Sequence, residues 1–248
     1  MESNQSSGSD RTPVPGQTVA HGTGVRSNRA FPTDEYPSSL DPFVLFERFY
    51  IDPDEGFPMH PHRGFEIVSY MVEGGMAHED SLGVSHTATE GEVMHITAGE
   101  GVRHSEFPAD GAACNGLQLW VNLPRDEKDA DPDYEDASAG ALPTEKTPGA
   151  SVTTVVGDGS PIELHTPMEY LDVRVTGEWT WSTPDDWAGF LYGVAGEGVV
   201  DGHEFGEGDV FPVTDGGSVE LRGDSFRVVA VSGRPHGEPI RLRGPVVL

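Results

Sequence analysis

The chain has 248 residues, enough for one large all-β domain or for two domains of about 100 residues each. Its 42 acidic residues against 15 basic ones give a net charge of −27 with histidine neutral, and Lys128 and Lys146 are the only lysines. Such a surface repels phosphate and has no basic cluster to neutralise it, which argues against direct nucleic-acid binding. The single cysteine, Cys114, excludes an internal disulfide and a thiolate metal cluster.

Residues 1–24 are polar and rich in Ser, Gly and Thr, and are expected to form a disordered tail. They contain no apolar core of a secretory signal, and no later run approaches membrane-spanning length, so the expectation is a soluble, cytoplasmic protein without a membrane partner. Glycine and proline then divide the chain into brief runs rich in β-branched and aromatic residues, at 67–72 and 116–122 in the first half. Residues 25–135 are read as a first β-barrel. Between 124 and 150 the composition shifts to acidic residues, proline, alanine and glycine, and residues 136–150 are assigned as an acidic linker. Further runs at 151–156, 170–175, 190–194 and 226–231 belong to a second barrel, residues 151–248. No segment shows a capped helical period. The expected fold class is all-β, two jelly-roll barrels in tandem with little helix.

Two motifs carry chemistry. His60-Pro61-His62 and His104-Ser105-Glu106 are both i, i+2 pairs of metal-ligand side chains. In a strand, residues two apart share a face, so each pair aims two donors in one direction. Three imidazoles and one carboxylate suit iron(II), manganese(II), copper(II), nickel(II) or zinc, and leave positions open for water, dioxygen or a substrate oxygen. The remaining histidines, His21, His78, His86, His95, His165, His203 and His236, show no paired spacing and are read as solvated or satisfied by ordinary hydrogen bonds.

The flanking residues resemble a known family. The string from Gly56 to Glu66, with His-x-His followed by Glu, resembles the first cupin motif, and Gly91 to Gly99 leading to His104 resembles the second, with Thr97 where cupins usually have proline. The strings His60 to Glu66 and Thr97 to Glu106 look like the pirin family, as do Leu40-Asp41-Pro42-Phe43, Thr166 to Asp172 and Gly233 to Ile240. The resemblance implies a bicupin with one metallated and one empty barrel, the second holding only a lone His203. It also implies that His60, His62, His104 and Glu106 ligate one divalent metal ion, iron(II) first among the candidates. Glu66 stands where a general cupin places its carboxylate; its even offset from His62 allows it to orient an imidazole from behind, and its plainer role is an ion pair with Arg63.

Resemblance to pirins further implies a quercetinase-type reaction, dioxygenation and ring opening of a flavonol or enediol-like small molecule with dioxygen (O2). Glu106 is then the candidate catalytic base for the substrate hydroxyl. Phe57, Met59, Met94 and Phe107 are candidates for an apolar lining, with barrel core as their plainer role. The alternative is a redox-sensing regulatory cofactor that acts through a protein partner, since pirins are also described as transcriptional cofactors. Metal-dependent isomerisation or hydrolysis, and a purely structural ion, complete the field.

Acids spread along nearly every turn, with arginine in place of lysine, fit the cytoplasm of a salt-accumulating halophile. At molar salt the Debye length is roughly 3 Å, so self-repulsion is screened. The melting temperature is therefore expected to rise as KCl is raised from 0.1 M towards roughly 2 M; a flat or falling thermal-denaturation series contradicts the reading.

Overall fold

The computed structural model describes residues 11–36 and 38–248. The six runs singled out in the sequence all form interior strands of two seven-stranded antiparallel sheets. They read as nearly continuous apolar runs because most are covered on both faces, as are Phe43–Ile51, Phe65–Glu73 and Ala188–Ala195.

The N-terminal sheet runs in the order Asp133–Ala137, Val93–Thr97, Phe65–Glu73, Cys114–Asn122, Phe43–Ile51, Val25–Phe31, Gln17–Ala20. A four-stranded sheet, Phe57–His62, Val102–Pro108, Gly75–Asp80, Ser85–Thr89, closes this barrel. The C-terminal half repeats the plan, with Ala188–Ala195, Phe226–Gly233 and Met168–Val175 central and Glu178–Thr183, Gly217–Arg222, Glu197–Val200 and His203–Gly206 closing it. Among the described residues the only helical pieces are 3-10 turns at Arg125–Glu127 and Ala139–Ala141. The fold is thus a tandem pair of cupin-type barrels, as the strand pattern predicts.

The barrels share a core. Phe31, Phe43, Phe46, Tyr70 and Leu119 of the first sheet pack with Tyr170, Phe190, Tyr192 and Val231 of the second in one buried cluster. Phe190 is its hub: fully buried, it lies edge-on to Phe31 and Phe43 at 5.0 and 5.7 Å, and 4.9 Å from Phe46. Buried polar groups lock the same seam. Asp172 accepts two hydrogen bonds from the Arg227 guanidinium, both 2.9 Å, and one from Tyr70 OH of the other barrel at 3.0 Å. The interior of the second barrel is filled by Trp181, Phe205, Phe211, Leu221 and Phe226.

Three expected boundaries move. Residues 1–10 of the expected disordered tail lie outside the described residues, and the remainder carries two short edge strands. Val14–Pro15 pairs with Asp209–Val213 of the distant C-terminal sheet, and Gln17–Ala20 extends the N-terminal one. Main-chain pairing at a sheet edge needs no apolar side chain, so polar composition is silent about it. The acidic linker likewise carries strands at both ends: Asp133–Ala137 edges the first sheet and Thr144–Thr147 the second. Finally, a ribbon of Leu242–Arg243 and Val246–Val247 returns to the first barrel. There Val247 is buried with Phe65, Ile67 and Ile96, and its N–H donates to Arg63 O at 3.0 Å.

Replacing Phe190 by Ala removes the hub of the shared core. It should destabilise the protein by about 3–5 kcal/mol, and chemical denaturation should show both barrels unfolding in one transition. Separation into two transitions would show that the barrels are independent.

Candidate metal centre

The small sheet of the first barrel brings the two motifs together. Phe57–His62 lies at its edge, which accommodates Pro58 and Pro61. It pairs antiparallel with Val102–Pro108 so that His60 faces His104 and His62 faces Val102, with a register shift between His104 and Glu106 that sets Glu106 opposite Phe57. The extra residue re-aims the strand beside the site.

The His60, His62 and His104 rings converge. Their centroids are 4.5–4.9 Å apart, and the Nε2 atoms of His60 and His104 lie 3.1 Å from each other. One donor atom of each lies within 4.8 Å of the others. Backbone carbonyls hold the opposite edges: His60 Nδ1 is 2.8 Å from Pro58 O, and His62 Nδ1 is 3.4 Å from Pro245 O of the C-terminal ribbon. A ring whose Nδ1–H is held by a carbonyl presents the Nε2 lone pair, which is the tautomer a cation needs. Burial, reinforced by the neighbouring imidazoles, lowers both His62 and His104 to about 3, so both are neutral at ordinary pH.

Glu106 is buried and its Oε1 has no hydrogen-bond partner. Burial raises its pKa against the pull of the surrounding histidines. Glu106 falls within 4.8 Å of His104 and of His78, a histidine whose isolated spacing gave no sign of a role. Three imidazoles and a buried carboxylate with an unsatisfied oxygen fit a divalent cation.

The site opens into a cavity of about 330 Å3. Its walls include Phe57, Gln118 and Trp120, with Trp120 edge-on to His62 at 5.1 Å. A charged rim comes from Arg29, paired with the buried Glu47 at 2.8 Å, and from Leu242 to Pro245 of the ribbon the cavity gains a wall that belongs to the other half of the sequence. Of the expected lining, Phe57 is present. Met59 and Phe107 instead point to solvent, 44% and 41% exposed, and Met94 is packed in the barrel core. Strand alternation places Phe107, one residue past Glu106, on the outer face.

Glu66 is not among the side chains that group with the motif histidines. Gly64, with φ +82°, breaks the strand after the motif, so the even-offset rule no longer applies; a Cβ there would lie 2.1 Å from Val247 O. Glu66 instead accepts from His95 Nε2 at 3.1 Å and from the His165 backbone N–H at 3.2 Å. Arg63 pairs with Asp129, not with Glu66. His165 is exposed and pairs with Glu127, while His95 is buried and satisfied by hydrogen bonds to Glu66 and Glu135. A larger cavity of about 670 Å3 beside His95 carries the acids Asp131, Asp133, Glu135 and Glu163 on its walls and contains none of the motif histidines.

The sequence matches the family profile "Pirin" over residues 24–121 and "Pirin C-terminal cupin domain" over residues 170–248. It is 39% identical to Pirin-1 of Arabidopsis thaliana over 227 residues, covering 84% of this chain and 77% of that protein. The chain belongs to the pirin family. Human pirin is 34% identical over 244 residues, covering 92% and 83% of the two chains. A quercetin 2,3-dioxygenase from Acinetobacter baumannii superposes with a TM-score of 0.85 at 25% identity, over 96% of this chain and 90% of that one. In this pirin the two histidine motifs lie at 60–62 and 104–106, and the ribbon that backs His62 lies at 242–247.

His95 supplies a pH signature. Burial alone would lower its pKa, but hydrogen bonds and charges from Glu135 and Glu66 outweigh burial and raise it to about 9. The stabilisation is complete below the unfolded value near 6.5 and is lost as pH rises through 9. Melting temperature should therefore fall between pH 7 and 10. His95→Gln should lower it by at least about 5 °C at pH 6 and flatten that slope; an unchanged slope in the variant contradicts the assignment.

Proposed function

We propose that this pirin-family chain is a mononuclear metal protein, with iron(II) its ion, that acts as a quercetinase-type dioxygenase on flavonol or enediol-like small molecules. The observation that carries the reading is the convergence of three imidazoles, those of His60, His62 and His104, at the floor of a cavity with aromatic walls, beside a buried carboxylate. A divalent ion held by His60, His62, His104 and Glu106 would act as a Lewis acid and as an electron conduit to dioxygen.

The chain's own residues perform the rest. Phe57 and Trp120 offer flat apolar faces to an aromatic ring. Glu106, raised by burial, takes the proton of the substrate hydroxyl at a carboxylate oxygen that has no other partner. Gln118, on the same wall, accepts from Trp120 Nε1 at 3.1 Å, which fixes the indole. The ribbon carbonyl of Pro245 keeps His62 in its ligating tautomer. The likeness to a quercetin 2,3-dioxygenase supports the substrate class, and the acidic composition supports a salt-rich cytoplasm as the setting.

Iron(II)-loaded protein should consume dioxygen with quercetin in an oxygen-electrode assay. His62→Ala should abolish it, and Glu106→Gln should lower kcat by about 10²–10⁴-fold, the scale of a lost general base. Absence of turnover across a panel of flavonols, catechols and enediols would remove the dioxygenase reading.

A further inference from the structure

His78 lies where a ligand would. It sits on Gly75–Asp80, directly opposite Glu106 in the antiparallel register, and is fully buried. Its Nε2 is 3.1 Å from Asp80 Oδ2, and both side chains have no solvent exposure. Asp80 is itself fixed, because its Oδ1 accepts the backbone N–H groups of Leu82 and Val84 at 2.8 and 3.0 Å. Tyr134 stacks on the ring at 4.9 Å. An imidazole that donates one N–H to an anchored carboxylate presents a lone pair at the other nitrogen, the arrangement found behind metal-binding histidines.

That other nitrogen, Nδ1, is buried and has no partner. Neither do His104 Nδ1 and Glu106 Oε1. Leaving a buried polar atom unpaired is costly, and here three such atoms belong to three residues whose donor atoms lie within 4.8 Å of one another. The His60, His62 and His104 group shares only His104 with this one.

We propose that His78 is itself a metal ligand, forming with His104 and Glu106 an inner cation position behind the His60, His62 and His104 face. The proposal rests on the metal-centre reading above. It accounts for the grouping of Glu106 with His78, and for the buried Asp80 side chain whose hydrogen bonds all hold one ring or one turn.

The test uses the metal-stripped full chain with ring-¹⁵N histidine and Zn(II) as the probe. On addition of Zn(II), the His78 Nδ1 resonance should move to the coordinated range while Nε2 keeps its proton. If His60, His62 and His104 shift and His78 does not, the proposal fails and the outer centre stands; if no histidine shifts, both fail. Equilibrium dialysis adds an independent reading: His78→Asn, with its fold checked by near-ultraviolet circular dichroism, should bind Zn(II) at least tenfold more weakly. Asp80→Asn should weaken it about tenfold through loss of orientation. Unchanged Zn(II) affinity in His78→Asn overturns the proposal.

Discussion

Two large sheets with almost no face left for water are the constraint on which this molecule depends. Each barrel needs one face of its seven-stranded sheet for its own interior and gives the other to its neighbour, so the interior strands must be apolar on both sides. Phe190 and its ring of aromatic contacts occupy the middle of that seam, and Asp172, Arg227 and Tyr70 cross it with buried hydrogen bonds. The small sheet of the first barrel carries the converging histidines, and the inner face of the large sheet meets them across the cavity with Gln118 and Trp120.

Within that sheet, chemistry follows from burial. Imidazoles crowded together and shielded from water lose the ability to hold protons, and a carboxyl in the same place tends to keep one. The same burial makes unpaired nitrogen and oxygen atoms costly, so the cluster favours a cation that satisfies several at once. Outside it, the Glu66, His95 and Glu135 chain shows the opposite outcome: with a carboxylate on each side, a buried imidazole stays charged.

Much of this was legible in the sequence. The six apolar runs locate interior strands because burial on both faces leaves a compositional trace, and the two i, i+2 pairs locate the converging imidazoles because strand geometry repeats every two residues. Edge strands such as Val14–Pro15 left no trace, since their pairing is made by backbone. His78 was missed because its partners, Glu106 across the sheet and Asp80 beside it, become a group only through register. Glu66 was misplaced because one glycine with a positive φ ended the strand on which its offset was counted. Met59 and Phe107 were assigned to the lining from proximity in sequence, where alternation turns them outward.

The ribbon of Leu242–Arg243 and Val246–Val247 has a consequence for how the protein matures in time. The two histidine motifs lie at 60–62 and 104–106, yet the carbonyl that holds His62 and the side chain that packs on Phe65 belong to Pro245 and Val247, which follow the whole second barrel in chain order. The nascent first barrel must therefore wait, with its histidines only partly oriented, until the second has been translated and folded against it. Full orientation of the His62 ring is thereby tied to the folding of the second barrel and its ribbon.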